Sequence, residues 1–182
     1  MKILAIAGSP RIKGNSTYLA NVALGEAEKF GAETEIIVLN QYRVNPCQGH
    51  DDCGSFDTCV QKDDAPWILD KLCKADGVII ATPVYYYNVS AQLKAFIDRS
   101  YFIYTHGKKP KANVIGLIVV AESSGIEDAL HTLNQYVDET FVKKQVFTVS
   151  GYAGRCGDAV SHVKLTGDAS SLGRQIVEVL RQ

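Results

Sequence analysis

The sequence predicts an α/β fold in which helices cover both faces of a single parallel sheet. Five continuous apolar runs of strand length recur along the 182 residues, and several are rich in the Val and Ile typical of strands buried on both sides. Segments with the spacing of amphipathic helices separate successive runs. Because parallel strands need right-handed crossover connections, this alternation indicates a three-layer sandwich, for which we expect the strand order 2-1-3-4-5.

The individual elements follow from these patterns in chain order. Strands are predicted at residues 3–7, 35–39, 77–81, 114–121 and 145–149. Apolar stripes at helical spacing follow the first, third, fourth and fifth strands, over residues 19–30, 93–101, 126–137 and 172–180. A shorter helix precedes the third strand, with Pro66 in its first turn and with Trp67, Ile68, Leu69 and Leu72 as its expected buried residues.

Length and charge favour one domain spanning residues 1–182. A chain of this size buries roughly 70% of its unfolded surface on folding. The 19 Lys and Arg residues nearly balance 20 Asp and Glu residues, so we expect no nucleic-acid partner. The longest apolar run, residues 114–121, is far shorter than the ~20 residues of a membrane span. We therefore expect no membrane insertion and a cytoplasmic location.

The loop after the first strand is rich in groups that bind anions. It reads Gly8-Ser9-Pro10-Arg11-Ile12-Lys13-Gly14-Asn15-Ser16-Thr17 and runs directly into a helix. It matches neither the Walker A pattern nor G-x-G-x-x-G, which argues against a nucleoside triphosphate or a tightly bound dinucleotide. Three hydroxyls, a helix N-terminus and the single charge of Arg11 suit one terminal phosphate. The alternative is an ordinary turn in which Asn15 or Ser16 only caps the helix.

The end of the third strand carries an aromatic segment. Residues 81–88 read Ala-Thr-Pro-Val-Tyr-Tyr-Tyr-Asn. In the expected strand order, the first and third strands flank the point where the chain reverses direction across the sheet, so this segment and the first loop open onto one crevice. Flat apolar side chains beside backbone N–H groups suit a planar heteroaromatic ligand, whereas the alternative is a set of surface or interface tyrosines. Residues 122–125, after the fourth strand, either form a third wall of this crevice or only cap the next helix.

Together these segments resemble the NADPH-dependent FMN reductase family, most closely its iron–sulfur flavoprotein branch. The resemblance rests on Ser9-Pro10-Arg11 followed by Gly14-Asn15-Ser16, and on residues 82–99, which read TPVYYYNVSAQLKAFIDR. It implies a flavodoxin-like fold that binds FMN non-covalently. It further implies that the phosphate is held by Ser9, Arg11, Asn15, Ser16 and Thr17. The isoalloxazine ring would contact Pro83, Val84, Tyr85, Tyr86, Tyr87 and Asn88, and the site would be closed by Ser123, Ser124 and Gly125.

The function implied is an FMN-dependent NAD(P)H oxidoreductase. Hydride from a nicotinamide passes through FMN to a quinone, a nitro or azo compound, another flavin or a redox protein, and no side chain need act as a nucleophile or base. Members of the family are commonly homodimers or homotetramers. Two alternatives stay open: an electron carrier with an iron–sulfur cluster in the loop at residues 47–59, and a non-catalytic flavin-binding module.

Five cysteines form a set that suits no disulfide framework, and three of them lie within residues 47–59. The iron–sulfur branch carries four cysteines spaced two, two and about five residues apart, and here His50 occupies the second position. Three interpretations compete: a [4Fe–4S] cluster on Cys47, His50, Cys53 and Cys59, a tetrahedral zinc site on the same residues, or a loop of free thiols without metal. We expect Cys73 to be a buried hydrophobe and Cys156 to be an ordinary loop thiol.

Overall fold

The computed structural model describes residues 1–142 and 144–182. Six strands occur in this part of the chain: β1 (Lys2–Ala7), β2 (Glu33–Val38), β3 (Gly77–Tyr85), β4 (Asn88–Val89), β5 (Val114–Ala121) and β6 (Gln145–Tyr152). Five of them pair in parallel in the order β2-β1-β3-β5-β6, and the short β4 pairs antiparallel with the end of β3. The predicted order of the parallel strands is thus confirmed.

Helices pack on both faces of this sheet. They are α1 (Asn15–Lys29), α2 (Ala65–Lys74), α3 (Ala91–Arg99), α4 (Tyr101–Thr105), α5 (Ile126–Thr140), α6 (Asp158–Ser161) and α7 (Val163–Leu180). Two short 3₁₀ turns, Leu39–Gln41 and Cys53–Ser55, lie in the long connection between β2 and α2. None of the helices in the described part of the chain combines the length and apolar character needed to cross a bilayer.

The core has two layers because successive strand residues point to opposite faces of the sheet. In β1, Ile3 and Ala5 pack with α1 and α7, whereas Leu4 and Ile6 pack with α2, α3 and α5. All four side chains are buried. Apolar runs without alternation are therefore explained by strands covered on both sides.

The structure adds the short elements β4 and α6 to those predicted, and it departs from the prediction at two further points. The predicted helix over residues 93–101 breaks at Ser100 into α3 and α4. The expectation that Trp67 is buried is wrong, since Trp67 is 44% exposed. The buried face of α2 consists of Ala65, Ile68, Leu69 and Leu72. Trp67 lies outside this face and packs instead against Tyr42 and Lys71 at the surface.

Candidate functional site

The carboxyl ends of β1, β3 and β5 meet at one edge of the sheet and surround a narrow cavity of about 130 Å³. Parallel strands deliver the loops that follow them to the same edge, and the point of reversal in the strand order leaves a crevice there. The cavity is lined by Ser9, Arg11, Gly14, Asn15, Ser16, Pro83, Val84, Tyr85, Val120, Ala121, Glu122, Ala153 and Gly154. The first loop and the aromatic segment therefore lie side by side, as the strand order predicts.

The first loop, residues 8–17, presents polar groups that lack protein partners. The hydroxyls of Ser16 and Thr17 are buried, and among the described residues they make no hydrogen bond. Helix α1 starts after Gly14, and no side chain at this position caps the helix. The backbone N–H groups of the first turn therefore also remain available to a ligand. Unpaired buried hydroxyls at a helix N-terminus are costly unless a ligand satisfies them. This arrangement is the one that an anion completes.

Close packing inside the first loop depends on glycine at position 14. A Cβ atom added to Gly14 would lie 2.4 Å from Oγ of Ser9, which itself accepts a hydrogen bond from the backbone N–H of Arg11. The N–H of Gly14 donates to the carbonyl of Arg11 at 2.9 Å, closing a tight turn. The Arg11 side chain is exposed at the rim of the cavity. Arg11 thus brings a positive charge to the lining of this cavity.

Asn15 has a different role from the one the sequence suggests. Its side chain does not cap α1, because Gly14 occupies the cap position. Its Nδ2 donates to the carbonyls of Ala153 and Arg155, at 3.0 and 2.8 Å. Its Oδ1 accepts from the N–H groups of Gly157 and Ala159, at 3.0 and 3.2 Å. The amide is therefore fully used in joining the first loop to the loop after β6, and only the backbone of Asn15 remains for an anion.

The aromatic segment folds back on itself as a tight hairpin. Val84 pairs with Val89 and Tyr85 with Asn88, which leaves Tyr86 and Tyr87 as the two turn residues. Their φ angles are 48° and 60°, in the left-handed region that suits glycine or asparagine at both positions of a type I′ turn. Tyr86 is fully exposed and Tyr87 is 62% exposed. The hairpin, residues 84–89, holds its aromatic rings outside the core at an energetic cost.

The turn after β5 packs directly against this hairpin. Gly125 has a φ angle of 85°, and a Cβ atom there would lie 2.9 Å from Cα of Tyr87. Residues 122–125 therefore have two roles. They lead into α5, and they contact the aromatic segment through Gly125. Ser123 and Ser124 are exposed and line a neighbouring cavity of about 580 Å³, together with residues of β6 and the start of α7. Glu122 is the residue of this turn that lines the narrow cavity.

Two buried residues tie the first loop to the hairpin. The hydroxyl of Ser90 donates to the carbonyl of Gly8 and accepts from the N–H of Leu93, so it also caps α3. The hydroxyl of Thr82 accepts from the N–H of Ser90 at 3.1 Å. A Cβ atom at Gly8 would lie 2.6 Å from Cβ of Leu93. The first loop is thus held against the start of α3, and the carbonyl of Gly8 is used in this contact.

Two site residues, Ala153 and Gly154, carried no recognisable signal in the sequence. They come from the loop after β6, whereas Glu122 belongs to the turn at residues 122–125 that the sequence offered as a third wall. A Cβ atom at Gly154 would lie 3.1 Å from Cγ of Glu122, which shows how closely these two loops approach. The strand order alone could have placed them here, since both loops leave the same edge of the sheet. Their residue types match no motif.

The long connection between β2 and α2 is fixed by a buried ion pair. The side chains of Arg99 and Asp63 are 1% and 0% exposed, and Arg99 donates to both carboxylate oxygens of Asp63. Arg99 also donates to the carbonyl of Asn45 at 3.1 Å and to Sγ of Cys59 at 3.2 Å. Burial raises the pKa of Asp63, but the hydrogen bonds from Arg99 and from the N–H of Asn45 outweigh it, so the pKa of that carboxyl is lowered.

The predicted metal ligands lie in this connection without forming a metal site. Cys53 is buried, whereas Cys47, His50 and Cys59 are half-buried. Within residues 1–142 and 144–182, no three His, Cys, Asp or Glu side chains are arranged to hold a metal ion. One thiolate of the four-cysteine pattern is absent, and the Cys59 sulfur is occupied by a guanidinium N–H. In the part of the chain that the structure describes, these side chains are therefore not gathered around one point.

Comparisons with known proteins agree with this geometry. Residues 1–155 match the NADPH-dependent FMN reductase family. One iron–sulfur flavoprotein of Methanocaldococcus jannaschii is 46% identical over 100 residues, covering 55% of the chain and 52% of that protein. A second from the same organism is 33% identical over 155 residues, covering 83% of the chain and 76% of that protein. The chain thus spans about half the length of the first of these relatives.

The fold also has close counterparts among solved structures. The NAD(P)H:quinone oxidoreductase from Methanothermobacter marburgensis superposes with a TM-score of 0.77 at 16% identity, over 97% of the chain and 96% of that protein. At this identity the likeness shows a shared fold. It places the chain among doubly wound α/β proteins with the strand order described above.

Proposed function

Because the chain belongs to the NADPH-dependent FMN reductase family, we propose that it is an oxidoreductase that binds FMN in the crevice between the first loop and the tyrosine hairpin. The observation that carries the proposal is the pair of buried hydroxyls, Ser16 and Thr17, without partners at the N-terminus of α1. Several unpaired donors beside one arginine suit a phosphate monoester better than a neutral ligand.

We assign the phosphate to Ser9, Arg11, Ser16 and Thr17. Arg11 would donate to the phosphate from the rim, and the two unpaired hydroxyls and the first-turn N–H groups of α1 would donate from inside. Asn15 would act through its backbone and by fixing the loop after β6, since its side chain is already engaged. We therefore keep all five residues predicted to hold the phosphate, and we assign the side chain of Asn15 a positioning role.

We assign the ring to the segment from Pro83 to Asn88, closed by residues 123–125. The backbone N–H groups and the exposed tyrosine rings of this segment would bind the edge and face of a planar heterocycle. Bound FMN supplies the redox chemistry by accepting hydride and passing on electrons. The chain's own contribution is to orient the ring, to leave one face open to a flat partner, and to surround the ring's edge with hydrogen-bond donors.

The substrates we propose are NADH or NADPH as donor and a quinone, a nitro or azo compound, a flavin or a redox protein as acceptor. The open hairpin supports this breadth, because the rings of Tyr86 and Tyr87 lie in solvent rather than in a closed pocket. The same exposed tyrosines support assembly into a homodimer or homotetramer, which light scattering coupled to size exclusion would measure. The five cysteines, none of them in a disulfide, suit the reducing conditions of the cytoplasm.

Fluorescence titration tests the binding site. We expect Arg11→Ala to weaken FMN roughly ten- to hundredfold, the effect of losing one hydrogen bond to a charged group of about 1.5–3 kcal/mol. Riboflavin, which lacks the phosphate, should lose far less. Arg11→Lys is the matched control, since it keeps the charge and loses only the fork geometry. Equal losses for FMN and riboflavin would mean that Arg11 does not meet the phosphate.

Anaerobic mixing tests the reaction. Addition of NADH or NADPH to the FMN-loaded protein should bleach the flavin absorption, and addition of a quinone should restore it. A protein that binds FMN tightly but is bleached by neither nicotinamide would be a flavin-binding module without reductase activity.

A further inference from the structure

The two edges of the parallel sheet differ in how they are protected. Strand β2 forms one edge and carries Glu33 and Glu35, both of which pair with Lys2. Strand β6 forms the other edge, and its residues 145–152 read Gln-Val-Phe-Thr-Val-Ser-Gly-Tyr, without a charge or a proline. Charged side chains and prolines are common means by which an edge strand avoids pairing with another strand. The β6 edge is therefore open to a further strand.

The backbone of β6 has a row of unused hydrogen-bonding groups along this edge. The N–H of Gln145 donates to the carbonyl of Asn113 at 2.8 Å, and the N–H of Ala153 donates to the carbonyl of Ala121 at 2.9 Å. Because these groups alternate in direction along a strand, the odd-numbered residues of β6 face β5. In the described part of the chain β6 pairs with β5 alone. Outward-facing N–H and C=O groups therefore belong to Val146, Thr148, Ser150 and Tyr152.

The side chains of these four even-numbered residues are also uncovered. Phe147 and Val149 belong to the core layer that β6 shares with α1 and α7. Because successive side chains of a strand point to opposite faces, the even-numbered residues lie on the other face. All four are exposed there, and Val146 and Tyr152, at the two ends, are 38% and 54% exposed. The edge thus combines unused backbone groups with uncovered apolar side chains.

The order of these side chains is complementary to its own reverse. Consider two copies of β6 that run antiparallel about a two-fold axis at Val149. Thr148 then stands opposite Ser150 of the second copy, and Val146 stands opposite Tyr152 of the second copy. Pairs of hydroxyl residues, and pairs of an aromatic with a β-branched residue, are favourable across antiparallel strands. No two charges meet, since the strand has none.

The backbone permits this register. In an antiparallel pair, two residues directly opposite each other either exchange both hydrogen bonds or exchange none. With the axis at Val149, outward-facing residues meet outward-facing residues, so each unused N–H meets an unused carbonyl. On the other face Phe147 stands opposite Gly151 of the second copy, and an aromatic ring across from a glycine covers its bare backbone. A shift by one residue would set outward-facing groups against inward-facing ones.

We propose that two copies of the chain pair antiparallel through their β6 edges, about a two-fold axis at Val149, and form a homodimer with one continuous sheet. The same surface is used on both copies, so the assembly closes at two. The inference deepens the self-assembly proposed above and rests on it, but it does not rest on FMN binding. A cavity of about 580 Å³ beside Ser150, Gly151 and Tyr152 gives the second strand room at this end of β6.

Light scattering coupled to size exclusion, on the FMN-loaded protein, tests the register through charge. Thr148→Lys combined with Ser150→Lys places lysine opposite lysine at two points of the interface. We expect this variant to raise the dissociation constant of the dimer about tenfold. Thr148→Lys combined with Ser150→Asp is the matched control. It places lysine opposite aspartate in the same register and should keep the dimer.

A mixing experiment and a proline variant sharpen the test. Thr148→Asp combined with Ser150→Asp should also weaken the dimer, and mixing this variant with the double-lysine variant should give a heterodimer. If the charged variants do not fold, Thr148→Pro provides a second test. It removes one outward N–H and spares the ladder to β5, where proline is tolerated, and it should weaken the dimer. Because the narrow cavity is lined by other residues, FMN titration checks that each variant is folded.

Three results would overturn the proposal. One is a monomeric wild-type protein, and another is a dimer that persists unchanged in the double-lysine and proline variants, which would place the interface elsewhere. The third is loss of the dimer in the lysine–aspartate control, which would contradict the register. A monomer that binds FMN would refute the assembly alone, and a dimer that does not bind FMN would refute the flavin site alone. The two failures are therefore distinguishable.

Discussion

Tyr86 and Tyr87 are single residues held in costly backbone conformations at the tip of the hairpin. Both have positive φ angles in a turn that asparagine and glycine would occupy without strain. Left-handed backbone costs an L-residue about 1–2 kcal/mol. Such strain persists where the side chain has a use that the fold does not need, and here the fold gains little from two exposed rings.

Replacing Tyr86 with Asn and Tyr87 with Gly should therefore stabilise the protein and weaken its site. We expect the free energy of unfolding in urea to rise by about 1–2 kcal/mol, because strain at the turn is relieved. FMN affinity should fall, since the aromatic surface is removed. The control Tyr101→Ala changes an exposed tyrosine outside the hairpin and should leave FMN affinity unchanged. A double variant that loses stability would contradict the assignment of strain.

At the scale of elements, one ion pair joins a loop to a helix. Arg99 ends α3, and Asp63 precedes α2 at the end of the long connection from β2. Helix α3 begins at Ser90, which holds the first loop through the carbonyl of Gly8. The same nine-residue helix is thus attached at one end to the first loop and at the other to Asp63 and Cys59. Neither attachment is visible in local sequence patterns.

The pair makes stability depend on pH in the acid range. The pKa of Asp63 is lowered in the folded chain, so the unfolded chain takes up the proton first as the pH falls. The stability that the Asp63–Arg99 pair provides should be complete above the unfolded-state pKa of about 3.9. It should be lost as the pH drops through the lower pKa of Asp63 in the folded chain. Thermal melts between pH 7 and pH 3 would show this loss.

Asp63→Asn should remove that part of the pH dependence at the cost of stability. It leaves Arg99 buried without a counter-charge, which costs about 3–5 kcal/mol. The control Asp70→Asn removes a carboxylate whose pair with Lys74 is exposed, and it should change the melting temperature little. An unaltered acid transition in Asp63→Asn would mean that other carboxylates govern it.

For the molecule as a whole, sequence patterns predicted the layers but not the contacts between distant segments. The strand order follows from apolar runs such as residues 114–121, because a strand covered on both faces must be apolar throughout. The side chain of Asn15 instead bonds to residues about 140 positions away, and no local preference encodes such a partner. Trp67 packs against Tyr42 at the surface, and Arg99 donates a hydrogen bond to Cys59. Both contacts likewise depend on how the long connection folds back on α2 and α3.

The packing of α1 against α7 offers a matched pair of substitutions. A Cβ atom at Gly173 would lie 2.0 Å from the carbonyl oxygen of Ala23, so Gly173→Ala must push the two helices apart. We expect it to destabilise the protein by about 1–3 kcal/mol. Gly167, in the same helix, has open space around it, and Gly167→Ala should stabilise by about 0.5–1 kcal/mol. Urea unfolding of both variants would measure the difference, and similar effects would argue against a tight α1–α7 contact.

The four hydrogen bonds of the Asn15 amide also bear on when this protein becomes competent during its synthesis. Asn15 is synthesised well before its partners at positions 153–159. The first loop therefore reaches the shape described here only after β6 and the loop behind it have emerged. The FMN site proposed above is therefore completed only by segments that are synthesised last.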